Sequence, residues 1–135
     1  MSTFAPRTLA CPCGARVSAD IADGLHISLR PDLRQQILDG TFHVFSCAAC
    51  GGRMQVDKLL AYSDFPRRHW FTVVPERDLA YRASWARFCD QRFRDTMIER
   101  AAPLVRAWAP EMKRRLIFGL ASLREKLMLF DEGLD

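Results

Sequence analysis

Four cysteines in two closely spaced pairs are the residues of this chain best suited to chemistry. The pairs are Cys11-Pro12-Cys13 and Cys47-Ala48-Ala49-Cys50, and a glycine follows each pair. Zinc prefers four soft or borderline ligands in a tetrahedron, and thiolates suit it well. Glycine takes the positive φ of a sharp turn at little cost, and backbone N–H groups in such a turn can point at the sulfurs. Two matched halves therefore predict one structural zinc ion with the ligands Cys11, Cys13, Cys47 and Cys50.

The two halves differ in spacing and lie far apart in the sequence. The first is C-x-C and has a tighter bite than the second, and 33 residues separate Cys13 from Cys47. This insert must carry structure of its own. Disulfides or buried free thiols are the alternatives to a metal site. The first residues lack the apolar stretch of a secretory signal, which argues against disulfides and predicts a reducing cytoplasm.

The remaining cysteine and the histidines give little sign of catalysis. Cys89 lies among aromatic residues and is expected to be a small apolar core residue. A catalytic zinc keeps one position open, whereas four cysteines close the shell, and no H-E-x-x-H motif is present. We therefore expect no enzyme. His26 and His69 are scattered, and His43 is either an ordinary buried or surface histidine or a hydrogen-bond donor toward a thiolate.

Composition predicts a single domain with a modest positive charge. The chain has 135 residues, 49% of them hydrophobic, and contains no apolar run long enough to span a bilayer. Its formal net charge is +4, but four thiolates and one Zn²⁺ together add −2 and leave about +2. Only three of the twenty basic residues are lysines. The charge alone therefore gives weak support for nucleic-acid binding.

Strand and helix signals divide the domain into three parts and predict an α+β fold. Residues 1–75 form a zinc-ribbon-like antiparallel β part with two knuckles and a short inserted helix at Asp32–Asp39. Residues 76–111 form a helical part, and residues 112–135 form a strand at Arg114–Phe118 followed by a helix at Ala121–Phe130. The C-terminal helices are expected to pack on the sheet.

Two apolar segments indicate where the sheet is covered. The segment Trp70–Val74 is apolar on both faces, so we expect a strand covered on both sides, either by the later helices or by a partner. From Arg77 to Ala109, aromatic and apolar residues recur at roughly helical spacing. We expect them to be core residues of that helix rather than a base-stacking platform: Tyr81, Trp85, Phe88, Phe93 and Met97.

Two basic segments are candidates for contact with a partner or a nucleic acid. A basic turn beside an aromatic residue is a plausible site for phosphate contact and base stacking. The alternative is that both segments are simply solvated. The candidate residues are Arg67, Arg68, His69 and Trp70 in the first segment and Lys113, Arg114 and Arg115 in the second.

Several stretches of the chain resemble the bacterial CpXC family, which takes its name from paired Cys-Pro-x-Cys motifs. Here Cys11-Pro12-Cys13 is one residue short, and Ala48 stands where the second motif usually has proline, but no ligand is lost. The resemblance runs from Leu9 to Asp135, with Glu76–Pro110 less distinctive. The stretches that carry it are 29–33, 37–42, the second cysteine pair, Tyr62–Phe65, 118–127 and 133–135.

The resemblance implies a zinc-binding fold but no established biochemical activity. Similar proteins continue beyond the position of Asp135, which would make this chain a shorter copy. The leading hypothesis is a structural zinc module that binds another protein, so that Cys47→Ser abolishes soluble folding. A nucleic-acid-binding zinc ribbon and a zinc-thiolate redox switch at Cys11 and Cys13 are the alternatives. The partner, the oligomeric state and the biological process stay open.

Overall fold

Seven strands and four α-helices make up the part of the chain that the structure, a computed structural model, describes, which is residues 2–134. The strands are β1 (Thr3–Ala10), β2 (Arg16–His26), β3 (Val44–Ser46), β4 (Arg53–Gln55), β5 (Leu60–Asp64), β6 (His69–Val74) and β7 (Lys113–Phe118). The helices are α1 (Pro31–Asp39), α2 (Arg82–Trp85), α3 (Pro103–Arg106) and α4 (Leu120–Asp131).

Five strands form one mixed sheet, and the other two form a separate hairpin. The sheet order is β1-β2-β5-β6-β7, and β3 pairs only with β4. The pairs β1–β2 and β5–β6 are antiparallel, whereas β2–β5 and β6–β7 are parallel. The predicted α+β class is confirmed, and the four cysteines cluster as a zinc-ribbon-like fold requires. The sheet was expected to be antiparallel, but two of its four strand pairs are parallel.

The lengths of the two connections make the parallel pairs possible. Parallel neighbours need a crossover of about a dozen residues or more, usually with a helix, whereas antiparallel neighbours need only a hairpin. The connection from β2 to β5 contains α1 and the β3–β4 hairpin, and the connection from β6 to β7 spans residues 75–112. The long insert between the cysteine pairs is therefore, in part, a crossover.

The main core lies between one face of the sheet and the helices α1 and α4. Helix α1 begins at Pro31, and Leu33 and Ile37 lie on its buried face. Leu123 and Leu127 of α4 are fully buried beside them and pack against Phe71 of β6. The predicted helices of the insert and of the C-terminal part are both present within one residue of the expected bounds at each end.

The opposite face of the sheet is covered by the connection from β6 to β7, residues 75–112, which we call the second crossover. Val74 of β6 and Leu116 of β7 form a small buried cluster with Phe88, and Trp85 and Met97 pack against it. The expectation that Trp70–Val74 is covered on both sides is therefore met within the chain itself. This strand is not a free surface for a partner.

The long helical run expected from Arg77 to Ala109, with breaks or restarts at Pro103 and Pro110, is absent, and short turns take its place. The two short helices α2 and α3 alternate here with four 3₁₀ turns. Side chains compete with the helix for backbone N–H groups. The carboxylate of Asp90 accepts hydrogen bonds from the N–H groups of Arg92 and Arg94, and that of Asp95 accepts from Met97 and Ile98.

The aromatic residues of this segment are consequently divided between core and surface. Phe88 is buried, but Tyr81 is 66% exposed and Phe93 is 48% exposed. Phe93 also has a positive φ of 58°, which no helix contains. Helical periodicity thus identified part of the buried surface correctly, although the backbone that carries it is irregular.

Candidate metal centre

Two hairpins bring the cysteine pairs together. The turn between β1 and β2 carries the first pair, where the N–H of Gly14 donates to the carbonyl of Cys11 at 2.9 Å. The turn between β3 and β4 carries the second pair, where the N–H of Gly51 donates to the carbonyl of Cys47 at 2.8 Å. Gly14 and Gly51 have φ values of 95° and 71°. These are the conformations for which glycine was expected after each pair.

The four sulfurs lie at the spacing of a tetrahedral thiolate site. The Sγ atoms of Cys11 and Cys50 are 3.6 Å apart, and those of Cys13 and Cys47 are 3.7 Å apart. All four lie within 4.8 Å of one another. Four sulfurs bound to zinc at about 2.3 Å would lie about 3.8 Å apart. The predicted ligands Cys11, Cys13, Cys47 and Cys50 therefore fit one metal ion of this size, in spite of the short first motif.

The turns also tune the acidity of the thiols. The backbone N–H groups of Cys50 and Ala49 lower the pKa of Cys47 to about 7. The backbone N–H of Cys13 lowers the pKa of Cys11 too, but contact with the other three thiols and burial outweigh it and raise that pKa to about 12. Four adjacent thiols repel one another once ionised, and a bound cation removes that penalty.

Each knuckle contributes one buried and one exposed ligand. Cys11 and Cys47 are buried, whereas Cys13 and Cys50 are exposed. The site is therefore at the surface, with the sheet on one side and solvent on the other. For the redox hypothesis, only Cys13 of the tight first pair is directly accessible to an oxidant.

His43 does not contact a sulfur but joins the second hairpin to the sheet. The N–H of Ala22 in β2 donates to its Nε2 at 2.9 Å, and its Nδ1 lies 3.2 Å from the carbonyl oxygen of Val56. The residue is buried, and burial lowers the pKa of the imidazole. Of the two roles considered, a buried histidine with both ring nitrogens bonded is the one found here.

The two basic segments predicted from the sequence lie side by side. Strands β6 and β7 are in register, with His69 beside Lys113 and Trp70 beside Arg114. His69 is buried, and Trp70 is half-buried. The seven candidates therefore belong to one region of the sheet, although they do not all face solvent.

Acidic residues of the same chain accompany several of these cations. Arg67 pairs with the buried Asp64 at 2.9 Å. Arg68 lies 3.5 Å from Glu111, and Arg114 lies 3.5 Å from Glu99. Lys113 lies over the ring of Phe130, 4.4 Å from its centroid. The guanidinium of Arg115 donates to the carbonyl of Arg114. Acidic side chains of the same chain therefore offset part of the positive charge that a phosphate backbone would meet, at Arg67, Arg68 and Arg114.

A surface patch that the sequence did not reveal adjoins the first basic segment. We call Phe65, Arg68, Leu104 and Trp108 the Trp108 patch. The guanidinium of Arg68 lies over the indole of Trp108 at 5.9 Å, and Phe65 meets that indole edge-on at 5.8 Å. Leu104, four residues before Trp108, is 85% exposed. Sequence spacing gives no hint of this patch. Residues 104–108 belong to the second crossover, and only the path of that segment in the fold brings them to residues 65–68.

Cys89 lies away from the metal centre, half-buried against the small cluster around Phe88. Burial raises the pKa of its thiol, as expected for a packing residue rather than a reactive one. Among the described residues 2–134, the four paired cysteines are the one cluster of three or more side chains suited to hold a metal.

Comparison with known proteins identifies the family. A family model described as "CpXC protein" matches residues 9–135, which is nearly the whole chain. The chain therefore belongs to the CpXC family. No curated protein and no solved structure matches it significantly. No helix within residues 2–134 combines the length and apolar character that crossing a membrane requires.

Proposed function

We propose that this protein is a non-catalytic zinc-binding module in which one zinc ion, held by four cysteines, clamps two hairpins and the domain binds another protein. The observation that carries the metal assignment is the close approach of the four sulfurs, all within 4.8 Å of one another and with two pairs at 3.6 and 3.7 Å. Thiolates select zinc or iron among common metals, and zinc is the usual occupant of a structural four-cysteine site. Four sulfur ligands leave no position for water or substrate, which supports a structural role.

Metal content and cobalt spectroscopy test this assignment. The purified protein is expected to carry one zinc per chain and, after exchange, to show the sulfur-to-cobalt absorption of a tetrahedral thiolate site. Cys47→Ser should lose the metal, and Cys89→Ser is the matched control that should keep it. A red-brown protein rich in iron, or full zinc occupancy in Cys47→Ser, would contradict the proposal.

The Trp108 patch supports a protein as the partner. Tryptophan and arginine are enriched among the residues that contribute most to protein interfaces. Here Trp108 is 41% exposed and contacts Phe65 and Arg68, and Leu104, four residues earlier in the chain, is also exposed. Large apolar side chains presented on a fixed surface are typical of such interfaces. The patch therefore takes the place of the strand Trp70–Val74 as the candidate contact face.

Affinity capture with matched variants tests the partner proposal. The tagged chain is incubated with nuclease-treated lysate of the organism that encodes it, and bound proteins are compared by mass spectrometry. A specific partner should be retained by the wild type and by Leu29→Ser, whose leucine is 64% exposed but lies outside the patch. Trp108→Ala and Leu104→Ser should lose that partner. Equal retention by all four proteins would rule out this face.

Nucleic-acid binding is the second candidate, favoured by one observation. The register of β6 and β7 places the segment Arg67–Trp70 beside Lys113–Arg115. Binding through phosphates should weaken steeply as salt is raised. Gel shifts on single- and double-stranded DNA and RNA at low salt test this candidate. The absence of any shift would remove it, and a shift unchanged by Arg67→Ala and Arg68→Ala would remove this surface.

A further inference from the structure

We infer that His43 is the positioning residue of the metal centre, a bracket that fixes the β3–β4 hairpin on the sheet so that Cys47 and Cys50 face Cys11 and Cys13. This inference rests on the proposed metal site. It assigns to His43 a role at the base of the hairpin, far along the chain from the first cysteine pair. The role is separate from the donation toward a thiolate considered from the sequence.

The need for a bracket follows from the topology. Strands β3 and β4 pair only with each other, so no ladder of backbone hydrogen bonds joins them to the five-stranded sheet. At the tip of the hairpin the four sulfurs meet. At its base, the hydrogen bond from the N–H of Ala22 to His43 Nε2 joins the hairpin to β2. A short hairpin held at one end alone would pivot.

The hydrogen bonds of the ring determine its chemical form. A backbone N–H can only donate, so Nε2 must accept from Ala22 and carry no proton. Nδ1 then carries the proton and donates to the carbonyl of Val56, 3.2 Å away. A second hydrogen bond joins the same two residues, because the N–H of Val56 donates to the carbonyl of His43 at 2.8 Å. His43 thus binds β2 and the segment after β4 at once.

The backbone of His43 is bent to make this possible. Its φ is +57°, a left-handed conformation that few residues other than glycine adopt. The ring lies buried and stacks on Phe42, with centroids 4.1 Å apart and planes 19° apart. Phe42 in turn belongs to the main core. Strained backbone that the surroundings hold in place is a feature of sites where position matters.

The bracket is expected to raise the affinity for zinc by ordering its ligands in advance. When the hairpin is free to pivot, metal binding must also restrict it, and that cost lowers the observed affinity. Loss of one buried hydrogen bond typically weakens binding by about fivefold to tenfold. We expect an effect of this size on the zinc dissociation constant when both ring bonds are removed and the ring shape is kept.

Two variants separate hydrogen bonding from packing. His43→Phe keeps a ring that stacks on Phe42 but has neither donor nor acceptor. His43→Gln supplies an oxygen to accept from Ala22 and an NH₂ to donate to Val56. Zinc affinity is measured by competition with a chromophoric chelator. We expect His43→Phe to bind zinc about fivefold or more weakly than wild type and His43→Gln to lie within about twofold of it.

The same experiment identifies each way of failing. Equal affinity of wild type and His43→Phe overturns the bracket, and so does an equal loss in both variants, because the hydrogen-bonding groups of glutamine would then give no advantage over phenylalanine. Absence of zinc binding by the wild type defeats the proposed function instead. The bracket is then decided by nitrogen NMR of the metal-free protein, where a protonated Nε2 on His43 contradicts it. This measurement also decides the matter if His43→Phe does not fold.

Discussion

At the scale of single residues, the metal centre depends on a close approach of backbone to sulfur. The N–H of Gly52 donates to the sulfur of Cys50 at 3.3 Å. A Cβ at this position would lie 3.1 Å from the same sulfur, tighter than ordinary contacts. Glycine is therefore favoured at position 52 because a side chain there would crowd the sulfur of Cys50, which a bound metal would hold in place.

Gly52→Ala is expected to weaken zinc binding by several-fold, because the methyl group displaces the sulfur or the backbone donor from its place. The control is Gly24→Ala, where the nearest atom to the new Cβ is 3.5 Å away. Chelator competition measures both dissociation constants. Unchanged affinity in Gly52→Ala would show that the sulfur moves aside freely.

Another residue, His69, is expected to make the free energy of unfolding depend on pH. Burial is the main cause that lowers the pKa of His69 to about 4. Its ring stacks on Phe71 and lies tilted against Phe130, with both centroids 5.0 Å away. Above about pH 6.5 the ring is neutral in both folded and unfolded chains. Between about pH 6.5 and 4 only the unfolded chain takes up the proton, so the free energy of unfolding falls as the pH falls.

We expect this residue to lower the free energy of unfolding by at most about 1.4 kcal/mol per pH unit over that interval. His69→Phe removes the titration and keeps an aromatic ring in the stack. Urea unfolding at several pH values gives the difference in the free energy of unfolding between wild type and His69→Phe. The titration of the cysteines is common to both proteins and cancels in this difference. A difference that stays constant from about pH 7 to 4 would contradict the prediction.

Residue identity alone was enough to predict that the four paired cysteines come together, since thiolate chemistry and the following glycines are local signals. The partner of His43 was not predictable in this way. Ala22 lies 21 residues before it, and only the folded sheet brings the two together. The same holds for Trp108 and Arg68. Contacts between distant segments are decided by topology, which the spacing of residues does not reveal.

At the scale of elements, the passage from β7 to α4 depends on Gly119. Its φ of +86° and ψ of 160° lie in a region that is almost exclusive to glycine. A Cβ there would lie 3.0 Å from the Cβ of Glu76. The edge strand and the last helix are therefore joined at a point where the second crossover passes closely.

Gly119→Ala should reduce the free energy of unfolding by about 3 kcal/mol, from backbone strain together with the clash. Gly133→Ala provides the comparison, because it also has a positive φ, of 75°, but open space around the new Cβ. We expect it to cost about 1 kcal/mol. Urea unfolding measures both, and equal losses would show that the contact with Glu76 is irrelevant.

The predictability of the elements follows how local their causes are. Helices α1 and α4 have apolar residues at helical spacing and glycine after their ends, so both were predicted well. The segment 76–111 has such spacing too, but prolines at 103 and 110 and side chains that bind their own backbone break it into turns. The parallel pairings were missed because an insert can return to the sheet in either direction.

At the scale of the whole molecule, the four-cysteine cluster and the main hydrophobic core are separate parts of the structure. None of the four ligands belongs to the main core cluster around Phe71 and Leu123. We therefore no longer expect Cys47→Ser to abolish soluble folding. The variant should lose the metal while the main core still forms. Structural zinc can contribute on the order of 10 kcal/mol in small domains that lack another core, whereas this chain has a core of its own.

Removal of zinc with a chelator is expected to free the two knuckles and lower the melting temperature while the sheet persists. Hydrogen exchange should accelerate at residues 10–16 and 44–55 and stay slow in β5 and β6. Addition of zinc should restore protection, whereas magnesium, which prefers oxygen ligands, should not. Loss of protection throughout the chain would show instead that the core depends on the metal.

The position of α4 in the chain bears on the order in which the protein forms during synthesis. The ribosome releases the chain from its amino end, and regions whose contacts are complete can fold first. The four ligands, Ala22, His43 and Val56 all emerge early. The core must wait for Leu123 and Leu127 of α4, whose neighbour Asp131 also pairs with Arg34 of α1 at 2.6 Å. A nascent chain could therefore take up zinc and align its first strands before its hydrophobic centre can close.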